Sequence, residues 1–388
     1  MQFKNPMKSK LIGIATVACI TVAAGLLTLE VGARIIEPKN VLREHFEQAH
    51  PVFHHRFIPN SSGYHKAPEF NVHYNINSLG LRERELPKHK PEGTKRLLLL
   101  GDSFTEGNGV EAKDAFPAQL QDLVDSAQLP VRWEVINAGE GSYSPLLMYL
   151  LLTKELIHLG PDIVILNLDL SDFYDDFQYS QLATFDSRGE PLAVTPETQS
   201  KKVPWHVTLA LSFKSFLKEN TRAYNFVRRH VAPLLAERPN ASGDLRTDKY
   251  AMLRDGYTFG DERDVELTFR YIRKIRDILS ARGVPLWLAV YPYGHQISTR
   301  EWHLGRVFWH FEQNRMYSRG PQTRIAQMAR ENGIPVVNMT QAFLDRSKSE
   351  FPLYFPYDGH FTRAGHSVAA QALMRELLPA LQAAAASN

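Results

Sequence analysis

The sequence reads KRLLLLGDSFTEGNGV over residues 95–110, a pattern that predicts a buried strand running directly into a small polar turn bounded by glycines. An unbroken apolar run is typical of a strand that is covered on both faces, as strands of parallel sheets are. Reactive side chains in such sheets collect at the carboxyl ends of the strands. The turn after this strand therefore either only redirects the chain or also holds Ser103 where it can react.

The composition is that of a globular protein with an ordinary core. Hydrophobic residues make up 44% of the 388 residues and charged residues 22%. The net charge of +3 is too small to indicate nucleic-acid binding as a property of the whole chain, so we expect no nucleic-acid partner. A single cysteine cannot form a disulfide within the chain and says nothing about the redox compartment.

The N-terminus predicts a membrane segment. Three lysines precede the uncharged residues 11–29, and Glu30 and Arg34 follow them. A helix of this length spans about 28 Å, close to the hydrocarbon core of a bilayer. We predict that residues 1–35 are an uncleaved signal anchor in the inner membrane, crossing once, with the rest of the chain on the extracytoplasmic, periplasmic side. A cleaved signal peptide, a lipoprotein modified at Cys19 and a buried helix of a soluble protein are the alternatives.

Beyond the anchor, the pattern divides the chain into two parts. Residues 36–94 show little periodicity and are interpreted as a tether with a short irregular layer. Residues 95–388 alternate apolar strands with amphipathic helices, which predicts an α/β domain whose parallel sheet is covered on both faces. The predicted strands cover residues 96–100, 133–137, 162–168, 284–291 and 334–339.

An insertion at about 173–260 interrupts this alternation. Residues 201–229 are strongly cationic and are predicted to form one helix. That helix either packs on the core, or it serves as a lid or as a face for an anionic glycan or lipid head groups.

A serine nucleophile needs a base beside it, and the base needs a third group to orient it. The segment YDGHFTRAGH, residues 357–366, places Asp358 and His360 two positions apart on a loop before the last helix. Taken alone, the Asp-Gly-His sequence is also consistent with an ordinary surface turn that has no catalytic role. Because this loop follows the fifth strand, it should lie on the same rim as Ser103.

GDSFTEG after a strand, together with an Asp/His pair before the C-terminal helix, resembles the GDSL or SGNH hydrolase family over about residues 95–378. The resemblance implies a flavodoxin-like three-layer α/β/α sandwich. It also implies Ser103 as nucleophile, His360 as general base and Asp358 as its orienting partner. The family's oxyanion hole combines the serine N–H, a glycine N–H and an Asn side chain, which here implies Ser103, Gly141 and, in the Asn position, Ser171.

The chain departs from that family's pattern in three places. One residue instead of two separates Asp358 from His360, a spacing found in relatives that act on polysaccharide acyl groups. In the second block, Ser142 competes with Gly141 for the position of the hole glycine. In the third block, Ser171 replaces the Asn, and losing one oxyanion donor can cost about 100- to 1000-fold in turnover. Either Ser171 suffices, another donor replaces it, or the chain is a poor hydrolase.

Other side chains on the predicted rim are candidates for substrate binding. His295 either lines the pocket, where it could even act as the base, or is an ordinary loop histidine. The aromatic residues near it either stack on sugars or belong to the core. The acidic residues after the third strand lack His or Cys in ligand spacing, so we expect no metal, and no nucleotide fingerprint indicates a cofactor. The predicted substrate-binding residues are Asp102, Ser142, Asp172, Tyr293 and His295.

The sequence thus predicts an extracytoplasmic serine esterase that cleaves acyl esters, with an O-acetyl group on a polysaccharide as the expected substrate. An O-acyltransferase that delivers the acyl group to a glycan shares the first half-reaction and is the first alternative. A non-catalytic glycan-binding or assembly subunit on a hydrolase scaffold is the second. The missing Asn favours that subunit, and the retained Ser, His and Asp oppose it. The oligomeric state stays open.

Overall fold

A computed structural model describes residues 6–36, 46–67, 69–87, 89–196, 205–227, 231, 246–254 and 262–386. The chain divides into two compact units. The smaller comprises Met1–Leu42, Lys66–Pro68 and Lys202–Ala236, and the larger comprises Arg43–His65, Glu69–Lys201 and Glu237–Asn388.

From residue 94 on, the strands of the central sheet alternate with helices, as the sequence predicts. The strands are β1 (Glu47–His50), β2 (His54–Phe57), β3 (Ser62–Ala67), β4 (Phe70–Asn75), β5 (Thr94–Gly101), β6 (Arg132–Gly139), β7 (Ile163–Leu168), β8 (Ala183–Phe185), β9 (Pro191–Val194), β10 (Leu286–Val290) and β11 (Val336–Asn338). The helices of both units are α1 (Pro6–Ile36), α2 (Ser103–Glu106), α3 (Phe116–Ser126), α4 (Pro145–Lys154), α5 (Asp172–Ser180), α6 (Trp205–Asn220), α7 (Arg222–Phe226), α8 (Glu262–Ser280), α9 (Gly294–Ile297), α10 (His303–Phe308), α11 (Gly320–Glu331), α12 (Thr340–Arg346) and α13 (Arg363–Ala386).

Five strands form the central sheet in the order β11-β10-β7-β5-β6, and every neighbouring pair is parallel. Counted along the chain, this is the 2-1-3-4-5 order of flavodoxin-like folds, so the predicted fold class is confirmed. The strand order reverses between β5 and β7, and in such sheets ligands bind at the carboxyl ends of the strands beside that switch point. β5 and β7 end at Gly101 and Leu168, directly before Asp102 and Asp169.

Burial explains why the predicted strands are so apolar. The four leucines of β5, residues 97–100, have no exposed surface, because helices cover both faces of the sheet. α4 is apolar on every side for the same reason, and all its residues from Pro145 to Leu152 are buried. The core thus fixes the carboxyl ends of the strands, where ligands bind in sheets of this type.

Two expectations about irregular segments need correction. Residues 47–75, interpreted as part of a tether and irregular layer, contain two strand pairs, the antiparallel pair β1-β2 and the pair β3-β4. The cationic segment predicted as one helix over residues 201–229 is broken at Thr221, whose extended backbone separates α6 from α7. The rest of that segment lies outside the described residues.

The N-terminal segment forms α1 in the smaller unit. Its residues Thr16–Ile36 have a mean hydropathy of 1.8 and are long and apolar enough to cross a membrane. A signal sequence would pass the same test of length and composition. Near the end of α1, the Glu30 carboxylate accepts hydrogen bonds from the N–H groups of Arg222 and Ala223, at 2.9 Å each.

Candidate active site

The end of β5 turns at once into α2, and this turn presents Ser103. Asp102 begins the helix, because its Oδ1 accepts a hydrogen bond from the N–H of Phe104 at 3.0 Å. The hydroxyl of Tyr291 donates to the same oxygen at 3.2 Å. Ser103 therefore stands at the first position of a short helix, at the edge of the sheet where ligands bind.

Two strand-end glycines allow α2 to lie directly on the sheet. A Cβ at Gly101 would lie 2.0 Å from Thr105 Oγ1, and one at Gly139 would lie 2.3 Å from the N atom of Glu106. Any side chain at Gly139 would meet helix backbone, which cannot move aside cheaply. The glycine before Asp-Ser is thus required by close packing between helix and sheet.

A buried arginine holds the loop that follows α2. Arg82 donates to the carbonyls of Glu106, Gly107 and Val110 at 3.2, 2.7 and 2.6 Å. Its guanidinium carbon lies 3.7 Å from the centre of the Tyr74 ring, in a cation–π contact. The segment before residue 95 therefore supports the Ser103 turn, although its sequence gives no sign of this.

The three predicted catalytic side chains meet in one chain of hydrogen bonds. Ser103 Oγ lies 2.7 Å from His360 Nε2, and His360 Nδ1 lies 2.5 Å from Asp358 Oδ1. Since a carboxylate only accepts, Nδ1 carries the proton and Nε2 accepts from the serine hydroxyl. Asn108 Nδ2 lies 3.5 Å from the same Asp358 oxygen, a contact that the sequence analysis missed.

Electrostatics support the same assignment of protons. Burial by itself would lower the pKa of His360, but the charge and hydrogen bond of Asp358 outweigh it and hold that pKa above its ordinary value. Burial would likewise raise the pKa of Asp358, and the His360 interaction instead brings it below its ordinary value. The pair therefore favours an ionised Asp358, whose charge would stabilise a protonated His360.

The loop that carries Asp358 and His360 is anchored on both sides. The Glu69 carboxylate accepts from the N–H groups of Tyr357 and Asp358 at 2.8 and 2.7 Å. Between Asp358 and His360, Gly359 has a φ of +89°, and a Cβ there would lie 2.6 Å from Trp302 Nε1. The short Asp-Gly-His spacing works because glycine makes the sharp turn that an extra residue would otherwise provide.

In the third block, Ser171 does not point its hydroxyl into the cavity as an oxyanion donor would, but bonds to a neighbouring carboxylate. The Ser171 hydroxyl donates to Asp169 Oδ2 at 2.6 Å, and the Tyr293 hydroxyl donates to the same oxygen at 2.7 Å. A serine hydroxyl has one proton to donate, so in this arrangement that of Ser171 points at Asp169. Asn167 lies back in the strand, where its Nδ2 donates to the carbonyl of Leu100 at 2.9 Å.

Three buried carboxylates gather beneath the crevice. Oxygens of Asp102, Asp169 and Asp172 lie within 4.8 Å of one another. Burial and, to a smaller extent, the charge of Asp169 raise the pKa of Asp102 to about 7. Burial and the charges of Asp102 and Asp169 raise the pKa of Asp172 well above its ordinary value. Among the described residues, these three carboxylates lie close enough together to hold a cation. Protein N–H and O–H groups already donate to each of the three carboxylates.

The second block forms a turn over residues 140–143. The Tyr143 N–H donates to the carbonyl of Glu140 at 3.1 Å, and Ser142 has a φ of +62°. That left-handed conformation costs a residue with a side chain about 1–2 kcal/mol. Among the residues that the structure describes, no acceptor pairs with the N–H of Gly141 or of Ser142. Both residues line the cavity beside Ser103, so these donors are available to a ligand.

A buried ion pair anchors the first residue of this turn. The Glu140 carboxylate accepts from Arg56 Nη1 at 2.5 Å and from the N–H of Phe57 at 2.6 Å. Burial raises the pKa of Glu140 to about 7 even with the guanidinium in contact. The pair thus joins β2 to the turn, where each partner neutralises the other.

We expect Arg56→Met to lower the free energy of unfolding by about 3–5 kcal/mol, because it leaves a buried carboxylate without its partner. Urea denaturation measures this loss. Arg346→Met is the control, since that side chain is 40% exposed and pairs at the surface with Glu350, which contributes below about 0.5 kcal/mol. A loss for Arg56→Met no larger than that of the control would contradict the assigned role.

These elements enclose a cavity of about 340 Å³. Of the residues predicted from the sequence, Asp172 and His295 do not line it. Lys249 and Tyr250 line it although they belong to the predicted insertion, where no motif signals them. The predicted residues on the wall are Asp102, Ser103, Gly141, Ser142, Ser171, Tyr293, Asp358 and His360.

His295 belongs to the core, which corrects its interpretation as a rim residue. It has no exposed surface, its Nε2 lies 3.2 Å from the carbonyl of Leu253, and its ring packs on Trp302 and Phe311. Burial lowers its pKa to about 3. An enclosed, neutral imidazole of this kind cannot serve as the base for Ser103.

A known family model matches the C-terminal part of this chain. Residues 254–388, which include Asp358 and His360, match the family model described as SGNH hydrolase-like domain, acetyltransferase AlgX. The match confirms the resemblance to SGNH hydrolases and the enzyme class that the sequence predicts. No curated protein sequence matches the chain.

Several solved structures are similar to this chain at low sequence identity. A putative lipolytic protein of the G-D-S-L family from Desulfitobacterium hafniense is 12% identical, over 72% of this chain and 98% of that one, with a TM-score of 0.36. A putative acylhydrolase from Bacteroides fragilis is 15% identical, over 76% and 92%, with a TM-score of 0.37. An acetylxylan esterase from Geobacillus stearothermophilus is 14% identical, over 73% and 94%, also at 0.37.

Proposed function

We propose that this protein is an extracytoplasmic serine esterase that cleaves acyl esters, with O-acetyl groups on a polysaccharide as substrate. The observation that carries the proposal is the hydrogen-bonded chain from Ser103 Oγ through His360 to Asp358, with distances of 2.7 and 2.5 Å. A serine that only binds a ligand needs neither a base nor a group to orient that base.

The reaction follows from this geometry. Ser103 Oγ attacks the ester carbonyl while His360 Nε2 takes its proton, and Asp358 stabilises the resulting imidazolium. The C–O bond then breaks, the alcohol leaves with the proton from His360, and an acyl-Ser103 remains. Water then attacks the acyl carbonyl while His360 takes its proton, the bond from that carbonyl to Ser103 Oγ breaks, and His360 returns the proton to Ser103 as the acid leaves.

The negative charge on the carbonyl oxygen needs donors in the cavity. The N–H groups of Ser103 and of the 140–143 turn, at Gly141 or Ser142, are the proposed donors. Ser171 joins them only if its hydroxyl turns away from Asp169, since it has one proton to give. The hole therefore consists mainly of backbone groups, whose positions depend on the fold.

The substrate and the location are also proposals. Tyr250, Tyr293 and Trp302 line the cavity, and such rings stack on sugars. The length and apolarity of Thr16–Ile36 support a single inner-membrane span, and the lysines before it support a periplasmic catalytic unit. A polysaccharide in the envelope or on its way out of the cell would meet the enzyme there.

Acyl transfer to a glycan is the second candidate. The family model that matches residues 254–388 is described as an acetyltransferase, which favours it. The transferase and the esterase share the acyl-enzyme and differ only in whether water or a sugar hydroxyl attacks it. Asp102, Ser142 and Tyr293 on the cavity wall would contact the substrate in either case.

One experiment separates the candidates. The purified full-length chain is given an aryl acetate with and without added oligosaccharide, and phenol, acetate and acetylated sugar are measured together. For an esterase, acetate equals phenol whether or not the sugar is present. For a transferase, acetylated sugar appears at the expense of acetate. Absence of turnover together with no labelling of Ser103 by a fluorophosphonate would overturn both and leave a binding subunit.

A further inference from the structure

The strand pair β1-β2 contacts the 140–143 turn at the peptide bond between Gly141 and Ser142. His55 Nε2 lies 2.7 Å from the carbonyl oxygen of Gly141, and the Tyr143 hydroxyl donates to the carbonyl of His55 at 2.9 Å. The next two residues of β2 hold Glu140, as described above. The turn is therefore tied to β2 at its first, second and last residues.

The hydrogen bonds determine which nitrogens carry protons. A carbonyl only accepts, so His55 Nε2 must be the N–H that donates to Gly141. In a neutral imidazole the other nitrogen is then an acceptor. His55 Nδ1 lies 2.9 Å from His54 Nδ1, which must therefore be protonated and donate to it. Burial and the neighbouring His55 lower the pKa of His54 to about 4, so His54 is a neutral imidazole with one ring proton at neutral pH.

The carbonyl that His55 holds belongs to the central peptide of the turn. In a trans peptide the C=O and N–H point in opposite directions, so a Gly141 carbonyl aimed at His55 turns the Ser142 N–H away from it. The positive φ of Ser142 is the conformation that this orientation of the peptide requires. Without an external partner, the peptide would flip to relieve the strain at Ser142.

We infer that His55 is a positioning residue for the oxyanion hole, because its Nε2–H holds the Gly141–Ser142 peptide in the orientation that offers the Ser142 N–H to the cavity. The inference rests on the proposed esterase or transferase function for the role of that N–H. The strained peptide and its histidine partner are observed independently of any reaction. The N-terminal layer thereby becomes part of the catalytic unit.

The test compares His55→Phe, which keeps a ring but removes the donor, with His55→Gln, whose amide can donate from a similar position. A misplaced group near the reaction centre can cost about 100-fold. We expect kcat for an aryl acetate to fall about 10- to 100-fold in His55→Phe, with KM little changed, and to recover largely in His55→Gln. A boronic acid, which forms a tetrahedral adduct with the serine, should bind His55→Phe more weakly by a similar factor.

A second substitution separates positioning from general damage. Adding Ser142→Gly to His55→Phe removes the strain that drives the flip, so the double variant should regain part of the lost kcat. His73→Phe, in β4, is the control for losing a histidine in the N-terminal layer and should keep wild-type kcat. Melting temperatures of all variants are recorded alongside.

The outcomes are distinct. If wild-type chain turns over the ester and His55→Phe keeps its kcat, the inference is overturned while the proposed function stands. If His55→Phe loses activity but neither Gln nor the added glycine restores it, His55 only supports the fold and the inference is overturned. Crystal structures of wild type and His55→Phe test the clamp even in an inactive protein. A Ser142 φ that turns negative in the variant supports it, and one that stays near +62° overturns it.

Discussion

Ser103→Ala is expected to reduce turnover of an aryl acetate on the order of 10⁴- to 10⁶-fold, since no nucleophile remains to form the acyl-enzyme. The hydroxyl is the only part of Ser103 that reaches His360, at 2.7 Å, and removing it leaves the N-cap bond of α2 intact. The variant should therefore fold as the wild type does. Steady-state kinetics and loss of fluorophosphonate labelling measure the effect.

Two other serines complete this experiment. Ser126→Ala lies at an exposed position at the end of α3 and should leave turnover unchanged. Ser171→Ala shares the cavity wall with Ser103, but its hydroxyl points at Asp169, so we expect a loss below about tenfold. A loss of about 100- to 1000-fold would show that Ser171 supplies an oxyanion donor after all. Turnover that survives Ser103→Ala would place the nucleophile elsewhere.

Asp358→Asn is expected to lower kcat/KM by about 10³- to 10⁴-fold, because the amide no longer holds His360 in the tautomer that accepts from Ser103. It should also move the acid limb of the pH profile. Asp358 raises the pKa of His360 above its ordinary value, so the inactive imidazolium persists to higher pH in the wild type. Without that carboxylate, burial lowers the pKa, and the limb shifts to lower pH with a much lower plateau.

Asp102 is the matched control for this pH profile, because its carboxyl titrates in the same cavity with a pKa of about 7. Asn at this position keeps the N-cap acceptor for Phe104 but cannot ionise. If the acid limb belongs to His360, Asp102→Asn should shift it to lower pH by less than Asp358→Asn does, because Asp358 is the larger of the two charges that raise the His360 pKa. If the limb disappears in Asp102→Asn and stays in Asp358→Asn, the titrating group has been assigned to the wrong residue.

Much of this site was readable from the sequence because its signals are local. An apolar run followed by Gly-Asp-Ser predicts a strand, a turn and an exposed serine within one short segment. Asp358 and His360 lie two positions apart, so a single loop suffices to bring them together. Their meeting with Ser103 follows from the parallel sheet, which gathers the carboxyl ends of its strands at one edge.

The sequence-based predictions were wrong where the position of a side chain depends on how distant parts of the chain pack together. His295 follows the fourth strand as a rim residue should, yet α9 turns it inward among aromatic rings. The layer before residue 95 has no periodicity to mark it, yet Glu69 holds the loop that carries His360 and Arg82 holds the loop after α2, both from outside the sheet. Contacts between residues so far apart in sequence leave no spacing by which to recognise them.

The sequence by itself determined the five strands of the central sheet, the place of Ser103 at the end of β5 and the pairing of Asp358 with His360, because each depends on neighbours within a few residues. Only the tertiary structure decided in which direction the hydrogen-bond donors of the site point. It directs the Ser171 hydroxyl to Asp169, bends Gly359 past Trp302 and sets the Gly141–Ser142 peptide against His55. Each of these depends on a hydrogen bond or a close contact between distant segments, and such contacts exist only once the chain has folded.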